Sequence, residues 1–417
     1  MVPPSRRWFM RILICSMHFW PEPTGIGKYS GEMAFWLASR GHDVRVICSP
    51  PWYPHWKVQG DYRSGRFQTE VVAGVTICRC PIWVPQHVSG LTRILCLGSY
   101  AISSAVMTIG AIRWRPDVIF SVEPPYFCLP AALAAAKFSG ARTWLHIQDF
   151  EVDAALQLGL FRIPGTAAFL RWSESFLIRC FHRTSTISGR MLDLLKSRSA
   201  KADECVLFPN WVDLKAIFPL DQPSDFRVAL GLGQDQKVAL YAGNMGEKQG
   251  LEIILDAARV LSVRSDVVIV LCGHGAAADR IRSQGKELAN IRWLPVQPVE
   301  LLNCLLNLAD IHLLPQRADA ADLVMPSKLT GILASGRPVV ATAGAGTQVH
   351  DVASRCGFTV EPGDVGGFVS AVEKLVDNPD LRRRLGEQGR AIACSELNAE
   401  SILAQFEVDL NSLCRKS

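Results

Sequence analysis

Short β-branched runs alternate with helix-length amphipathic stretches from one end of the chain to the other, and no other feature limits the fold as tightly. In the first half the strand-like runs fall at 12–15, 44–48, 75–80, 118–122, 143–147 and 184–187, with helical stretches at 27–39, 91–112, 127–138 and 167–181 between them. The first helix brings Ile26, Tyr29, Met33, Trp36 and Leu37 to one face and stops at Gly41, where a left-handed cap is expected. The second half repeats the pattern with strands at 238–242, 267–272, 291–294, 311–314, 339–342 and 358–360, and helices that include 250–261, 327–334 and 365–376. Strands that are apolar almost throughout, separated by helices, call for parallel sheets covered on both faces. A chain of 417 residues exceeds what one hydrophobic core serves. The expected fold is therefore α/β: two Rossmann-like domains whose parallel sheets face an interdomain cleft. They should span 1–209 and 210–395, with a terminal helix at 396–417 packing back across the joint.

Hydrophobic residues make up 49% of the chain and charged residues 20%, which excludes a disordered, collagenous or coiled-coil protein. The charge is unevenly divided. Residues 1–209 carry 23 Lys and Arg against 14 Asp and Glu, whereas the remainder carries 21 against 25. A basic first domain suits something anionic, but the excess is modest and no basic stripe is interleaved with aromatics, so nucleic acid is not expected. Thirteen cysteines, an odd number without zinc spacing, predict free thiols in a reducing cytoplasm. The opening residues, with Arg6, Arg7 and Arg11 and no small-residue cleavage site, read as a basic tail before the first strand. The stretch 94–112 has no charge and approaches the ~20 residues that span a bilayer. Gly98, Ser99, Ser103, Ser104, Thr108 and Gly110 dilute it, and it joins two strands of one sheet. A buried or surface-lying helix is expected, with Arg93, Arg113 and Arg115 placed for anionic headgroups.

In open parallel sheets ligands bind beyond the carboxyl ends of the strands. After the first strand, Gly25 and Gly27 open a helix whose unpaired N–H groups could approach a phosphate; a tight turn would use the same glycines. In the second half the loop Gly243-Asn244-Met245-Gly246-Glu247-Lys248-Gln249-Gly250 offers backbone donors, an amide and a positive charge where a diphosphate could lie. His274, between two glycines after the next strand, is equally readable as a turn residue and as a ligand contact. Asp322, Met325, Pro326, Ser327, Lys328 and Leu329 lead into a helix whose first turn could hold an anion, although a plain capped helix has the same signature. In the first half the strand ending at 147 runs into His146, Gln148, Asp149 and Glu151, candidates for acceptor binding or acid–base work.

Several segments resemble the glycosyltransferases of family 4, retaining enzymes of the two-domain GT-B fold. They are MRILICSMHFWPEPTGIGKYSGEMAFWLASRGHDVRVI, TISGRMLDLL, LFPNWVD, LYAGNMGEKQGLE and PSKLTGILASGRPVV, in the family's order across nearly the whole chain. The resemblance implies that Gly25 and Gly27 approach the donor diphosphate, that Lys248 binds donor phosphates, and that the turn at 326–329 lies beneath the diphosphate and donor sugar. It also exposes departures. An arginine of many members is replaced by Asn244, a strand-end histidine falls at Gln148, and two glutamates eight positions apart fall at Leu323 and Gly331, with Asp319 and Asp322 nearby.

On this resemblance the chain is expected to move a hexose, with GDP-fucose the expected donor, to a polyprenyl-diphosphate-linked oligosaccharide in exopolysaccharide biosynthesis. The catalytic candidates are His146, Gln148, Asp149 and Lys248. No cofactor or metal is expected, and the enzyme should be cytoplasmic and peripheral to the inner membrane. The alternatives are a nucleotide-sugar 2-epimerase of the same fold and a degenerate protein that binds nucleotide sugars without turnover.

Overall fold

The computed structural model describes residues 9–415 except 24, 54, 88, 154–164, 200 and 319–326, and omits the Lys248 side chain. The chain forms two units, Met1–Pro209 with Ile402–Ser417, and Asn210–Ser401. The last helix, Ala399–Arg415, thus belongs mainly to the first unit.

The first unit holds an eight-stranded sheet of β1 (Arg11–Cys15), β2 (Asp43–Cys48), β3 (Gln68–Val72), β4 (Val75–Arg79), β5 (Val118–Glu123), β6 (Arg142–Ile147), β7 (Arg183–Thr186) and β8 (Cys205–Leu207), ordered β3-β4-β2-β1-β5-β6-β7-β8. All neighbours are parallel except β3 and β4. That antiparallel edge hairpin departs from the all-parallel reading, and β3 has no counterpart among the expected strands. Its turn is Ala73-Gly74 with φ of 47° and 83°. Two left-handed residues in a row make a tight hairpin, normally announced by Asn-Gly or Asp-Gly; alanine at the first position hides it. The short β8 is likewise additional.

Side chains on the central strands alternate between two faces. Leu13, Ile47 and Ile119 pack against Cys96, Tyr100, Ala132 and Ala135, from helices Gly90–Gly110 and Leu129–Ser139, which lie side by side. Phe120 and Trp144 face the other way, edge-on to Phe406 of the last helix at 5.3 and 5.0 Å, and Phe406 stacks on Phe208 at 4.4 Å. The charge-free stretch is the helix Gly90–Gly110. It is long and apolar enough to cross a membrane, yet it links β4 and β5 of one sheet and turns Cys96, Tyr100, Ser104 and Thr108 inward.

The second unit holds six parallel strands: β9 (Lys237–Ala242), β10 (Val267–Cys272), β11 (Ile291–Leu294), β12 (Ile311–Leu314), β13 (Val339–Thr342) and β14 (Gly357–Val360), ordered β11-β10-β9-β12-β13-β14. Ala239, Tyr241, Ile269 and Leu271 meet helices Glu252–Leu261 and Val365–Asp377 on one face. Val238, Leu240, Val268 and Val270 meet Leu305 and Leu308 on the other. This is the doubly wound pattern, in which the chain reverses its order at β9 and β12. In folds of this kind ligands bind at the carboxyl end of that reversal.

Candidate active site

In the second unit the loops after β9 and β10 close on one another. Met245 N–H donates to the His274 carbonyl and Ala277 N–H to the Met245 carbonyl, both at 2.9 Å. Gly243 and Gly273 have φ of 142° and 150°, and a Cβ on Gly273 would collide with the Gly243 carbonyl. Glycine is needed here because the two backbones touch. A Cβ on Gly243 would overlap Lys328 Cε, so this glycine also makes room for the lysine. Gly246 sits near the Asn244 amide, and the exposed His274 lies between Gly273 and Gly275, beside Asn244.

Lys328, in the first turn of the helix Ser327–Ala334, reaches across β9. Its Nζ donates to Tyr241 Oη at 2.6 Å and to the Asn244 carbonyl at 3.2 Å, and lies 4.4 Å from the Tyr241 ring centroid. Tyr241 Oη donates to the same carbonyl at 2.5 Å. Burial lowers the Lys328 ammonium to about 8, from an ordinary 10.5. Among the described residues two of its three N–H donors are used, leaving one for an anion. Tyr241 itself was not singled out from the sequence; as the second-last residue of an apolar strand it reads as core, which its ring is.

Gly243, Asn244, Gly246, His274 and Lys328 therefore lie together at the reversal between β9 and β12. Ser327 is exposed at the head of its helix. Leu329 contributes its side chain to the core, wholly buried among Val339, Leu333 and Ile392, which leaves only its first-turn backbone N–H for a ligand. Asp319, Asp322, Leu323, Met325 and Pro326 lie outside the described residues, as does the Lys248 side chain. Gly331 packs toward Leu306.

In the first unit, Gly25 has φ of 59° and opens the helix Gly25–Ser39. At Gly27 a Cβ would meet Glu22 Cβ at 2.6 Å, which explains that glycine by packing. Glu22, buried and not anticipated, accepts from Trp52 N–H at 3.1 Å and Tyr53 N–H at 3.0 Å, and its other oxygen meets His18 Nδ1 at 2.8 Å. It ties the loop after β1 to the loop after β2. Lys28 pairs with Glu32 along its own helix.

His146 is buried and both ring nitrogens are engaged: Nδ1 with Ser185 Oγ and Nε2 with Gln148 Nε2, each at 2.9 Å. Gln148 must donate in the second contact, so Nδ1 carries the proton and gives it to Ser185. Burial drives the imidazole down to about 3, so it is neutral. The His146 ring therefore holds the Gln148 amide in place. Gln148 sits at the strand end and Asp149 beyond it is exposed. Beside them the candidate Glu151 joins Glu123 and Glu174, two carboxylates that the sequence did not reveal because they are far from it in the chain. Wholly buried Glu123 lies against Glu174; burial and that neighbour push its carboxyl well above the usual range. Burial raises Glu151 to about 7 although Tyr126 N–H donates to it at 2.7 Å. Among the described residues no group of three His, Cys, Asp or Glu could hold a metal ion.

Comparison with known proteins gives this arrangement a family. Residues 24–211 match the Glycosyl transferase 4-like domain, and residues 224–392 match Glycosyl transferases group 1. WcaI of Escherichia coli K12, by name a colanic acid biosynthesis glycosyl transferase, is 39% identical over 412 residues, covering 96% of this chain and all of WcaI. Sucrose-phosphate synthase from Thermosynechococcus elongatus superposes with a TM-score of 0.75 at 17% identity, over 98% of this chain and 100% of that one. Anabaena Alr3699/HepE, solved in complex with UDP-glucose, gives 0.68 at 16% identity over 97% and 100%. Sequence identity along the whole length, and two doubly wound sheets shared with these folds, lead to one conclusion: the chain belongs to the family 4 glycosyltransferases of GT-B fold.

Proposed function

We propose that this enzyme transfers a hexose, fucose from GDP-fucose, to a polyprenyl-diphosphate-linked oligosaccharide during assembly of an exopolysaccharide of the colanic acid type. The observation that carries the reading is the Lys328 ammonium, fixed between Tyr241 and the Asn244 carbonyl beside a glycine-framed loop. It stands in a chain similar to WcaI over its full length. The donor diphosphate is read into the second unit, on the backbone N–H groups of Gly243–Gly246, on Lys328 and on Lys248, with Ser327 at the helix head.

In the transfer the bond between the anomeric carbon and the diphosphate oxygen breaks, and its electron pair stays on that oxygen. The acceptor hydroxyl forms the new glycosidic bond on the same face, and its proton passes to the departing phosphate. Charge accumulates on the diphosphate, so preorganised N–H donors and ammonium groups act where they lower the barrier most. Gln148 and Asp149 are read as acceptor contacts, and His146 as the group that positions Gln148.

The acceptor's lipid and the anionic membrane face are assigned to the first unit. Leu91, Leu95, Ile102, Val106 and Ile109 form an exposed stripe on the Gly90–Gly110 helix, flanked by Arg93 and Arg113. Exposed Phe169, Trp172 and Phe176 stack along the helix Thr166–Cys180 at 5.9 and 5.8 Å. An apolar face with basic ends suits peripheral binding to anionic lipid. The test is incubation with radiolabelled GDP-fucose and membranes containing the lipid-linked acceptor. Label in the organic phase with release of GDP supports the reading; nucleotide binding without release of GDP would identify a binding protein instead.

A further inference from the structure

A cavity of about 570 Å³ lies in the first unit, walled by the loop after β2, the link after β4 and the Gly90–Gly110 helix. Its lining includes Trp56, Lys57, Ser64, Trp83, Gln86 and Ser99. None of these belongs to the loops assigned above to donor or acceptor chemistry, and the size falls within the roughly 300–1,000 Å³ of small-molecule sites. We propose that this cavity is a saccharide subsite that takes a neutral pyranose unit of the acceptor glycan. The proposal rests on the transferase reading for its source of sugar, but not for its chemistry.

Three observations carry it. First, the walls are held in place. The Ile82 N–H donates to the Ser64 carbonyl at 2.8 Å and joins two of the segments, and the Trp83 N–H donates to Ser99 Oγ at 2.9 Å and joins the third. Ser103, also in the lining, donates to the Pro81 carbonyl at 2.5 Å. Trp56 has φ of 53°, a left-handed conformation that is strained for a bulky side chain, and its ring lies edge-on to buried Trp52 at 4.8 Å. Strain of this kind persists where the surroundings fix the residue.

Second, the polar inventory is of the neutral kind. Among the described residues no protein group bonds the indole N–H groups of half-buried Trp56 and exposed Trp83, the exposed Gln86 amide or the exposed Lys57 ammonium, so all four are open to a ligand, whereas the Ser99 and Ser103 hydroxyls serve to hold the walls. Among the described lining residues Lys57 is the single charged one, which is too little for a phosphate or a nucleotide. A pyranose matches the set. Its C–H face is apolar and slightly positive, suited to the negative face of an indole, while its rim hydroxyls both donate and accept.

Third, the cavity flanks the apolar stripe. Ser99 and Ser103 are one turn apart on the helix that exposes Leu95, Ile102 and Val106 on the adjoining face. A sugar in the cavity and a lipid along the stripe would then be neighbours, as they are in a lipid-linked glycan.

The experiment uses the full-length protein and a panel of methyl pyranosides: fucoside, galactoside, glucoside and N-acetylglucosaminide. Saturation-transfer NMR and tryptophan fluorescence would follow them at millimolar concentration, with GDP binding measured in parallel. Trp83 is half exposed, so Trp83→Ala should fold; Gln86→Ala serves as a second variant should it not. At least one glycoside is expected to bind, with a loss of tenfold or more in each variant while GDP affinity stays the same. Absence of binding by every glycoside, binding unchanged in both variants, or displacement of the glycoside by GDP-fucose would each overturn the subsite. The transferase reading fails separately: a protein that bound glycosides through Trp83 but no nucleotide would keep the subsite and lose the proposed donor.

Discussion

Lys328 is the residue on which most of the donor chemistry turns. Its folded-state pKa of about 8 lies below the unfolded 10.5, so burial opposes its charge and the native state binds fewer protons between these values. The sign follows from linkage: the penalty, about 3 kcal/mol, is fully present below pH 8 and is relieved as pH rises toward 10.5. Lys328→Met should therefore leave the melting temperature at pH 7 unchanged or raised, because Tyr241 still donates to the Asn244 carbonyl. The same variant should lose roughly 10- to 100-fold in nucleotide affinity, the value of one charge-assisted hydrogen bond of about 1.5–3 kcal/mol. A bound anion restores the ammonium, so binding by wild-type protein above pH 8 should take up a proton. Calorimetry in two buffers of different ionisation enthalpy reads that uptake; none at pH 9 would remove Lys328 from the diphosphate. The sequence pointed to Lys328 through its place at a helix head but could not show Tyr241, which shares the site across 87 positions of chain.

At the scale of elements, the loop after β1 is built on one buried carboxylate. Glu22 accepts from the backbone of Trp52 and Tyr53, next to the loop that supplies Trp56. Glu22→Ala would strand the buried Trp52 N–H and the partly buried Tyr53 N–H and should lower stability by about 2–6 kcal/mol, at about 1–3 for each unpaired group. Chemical denaturation measures this, and a change below 0.5 kcal/mol would show that the tie is dispensable. Here the sequence was informative in part. The central strands of the second sheet were legible because they are buried on both faces and read as nearly continuous apolar runs, as in Val267–Cys272 and Val339–Thr342. β3, exposed on alternate residues and joined through Ala73-Gly74, carried neither a continuous run nor a standard turn signal. His146 illustrates the limit for sites. Its position at a strand end was visible, but the Ser185 and Gln148 contacts that occupy its ring belong to tertiary structure.

At the scale of the whole molecule, charge is divided between the halves of the chain, and the contiguous apolar stripes described above lie in the first unit. The basic excess of 1–209 accompanies the exposed stripe of the Gly90–Gly110 helix and the aromatic run at Phe169, Trp172 and Phe176. Ile102→Glu with Val106→Glu should abolish sedimentation with vesicles of anionic phospholipid while leaving GDP affinity intact. Equal sedimentation of the double variant would place membrane contact elsewhere. The family glutamates absent at Leu323 and Gly331 make donor binding the point on which the account stands or falls. Its most direct measurement is a thermal-shift titration of wild-type and Lys328→Met protein with GDP-fucose, GDP-mannose, UDP-glucose, UDP-galactose, GDP and UDP. A nucleotide present at 100 times its Kd should stabilise the native state by about 2.7 kcal/mol. The wild-type protein should shift with guanine nucleotides, most with GDP-fucose, and at the same concentration a 10- to 100-fold weaker variant should keep only about 0.4–1.4 kcal/mol of that stabilisation. No shift with any nucleotide, or an equal shift in both proteins, would contradict the account.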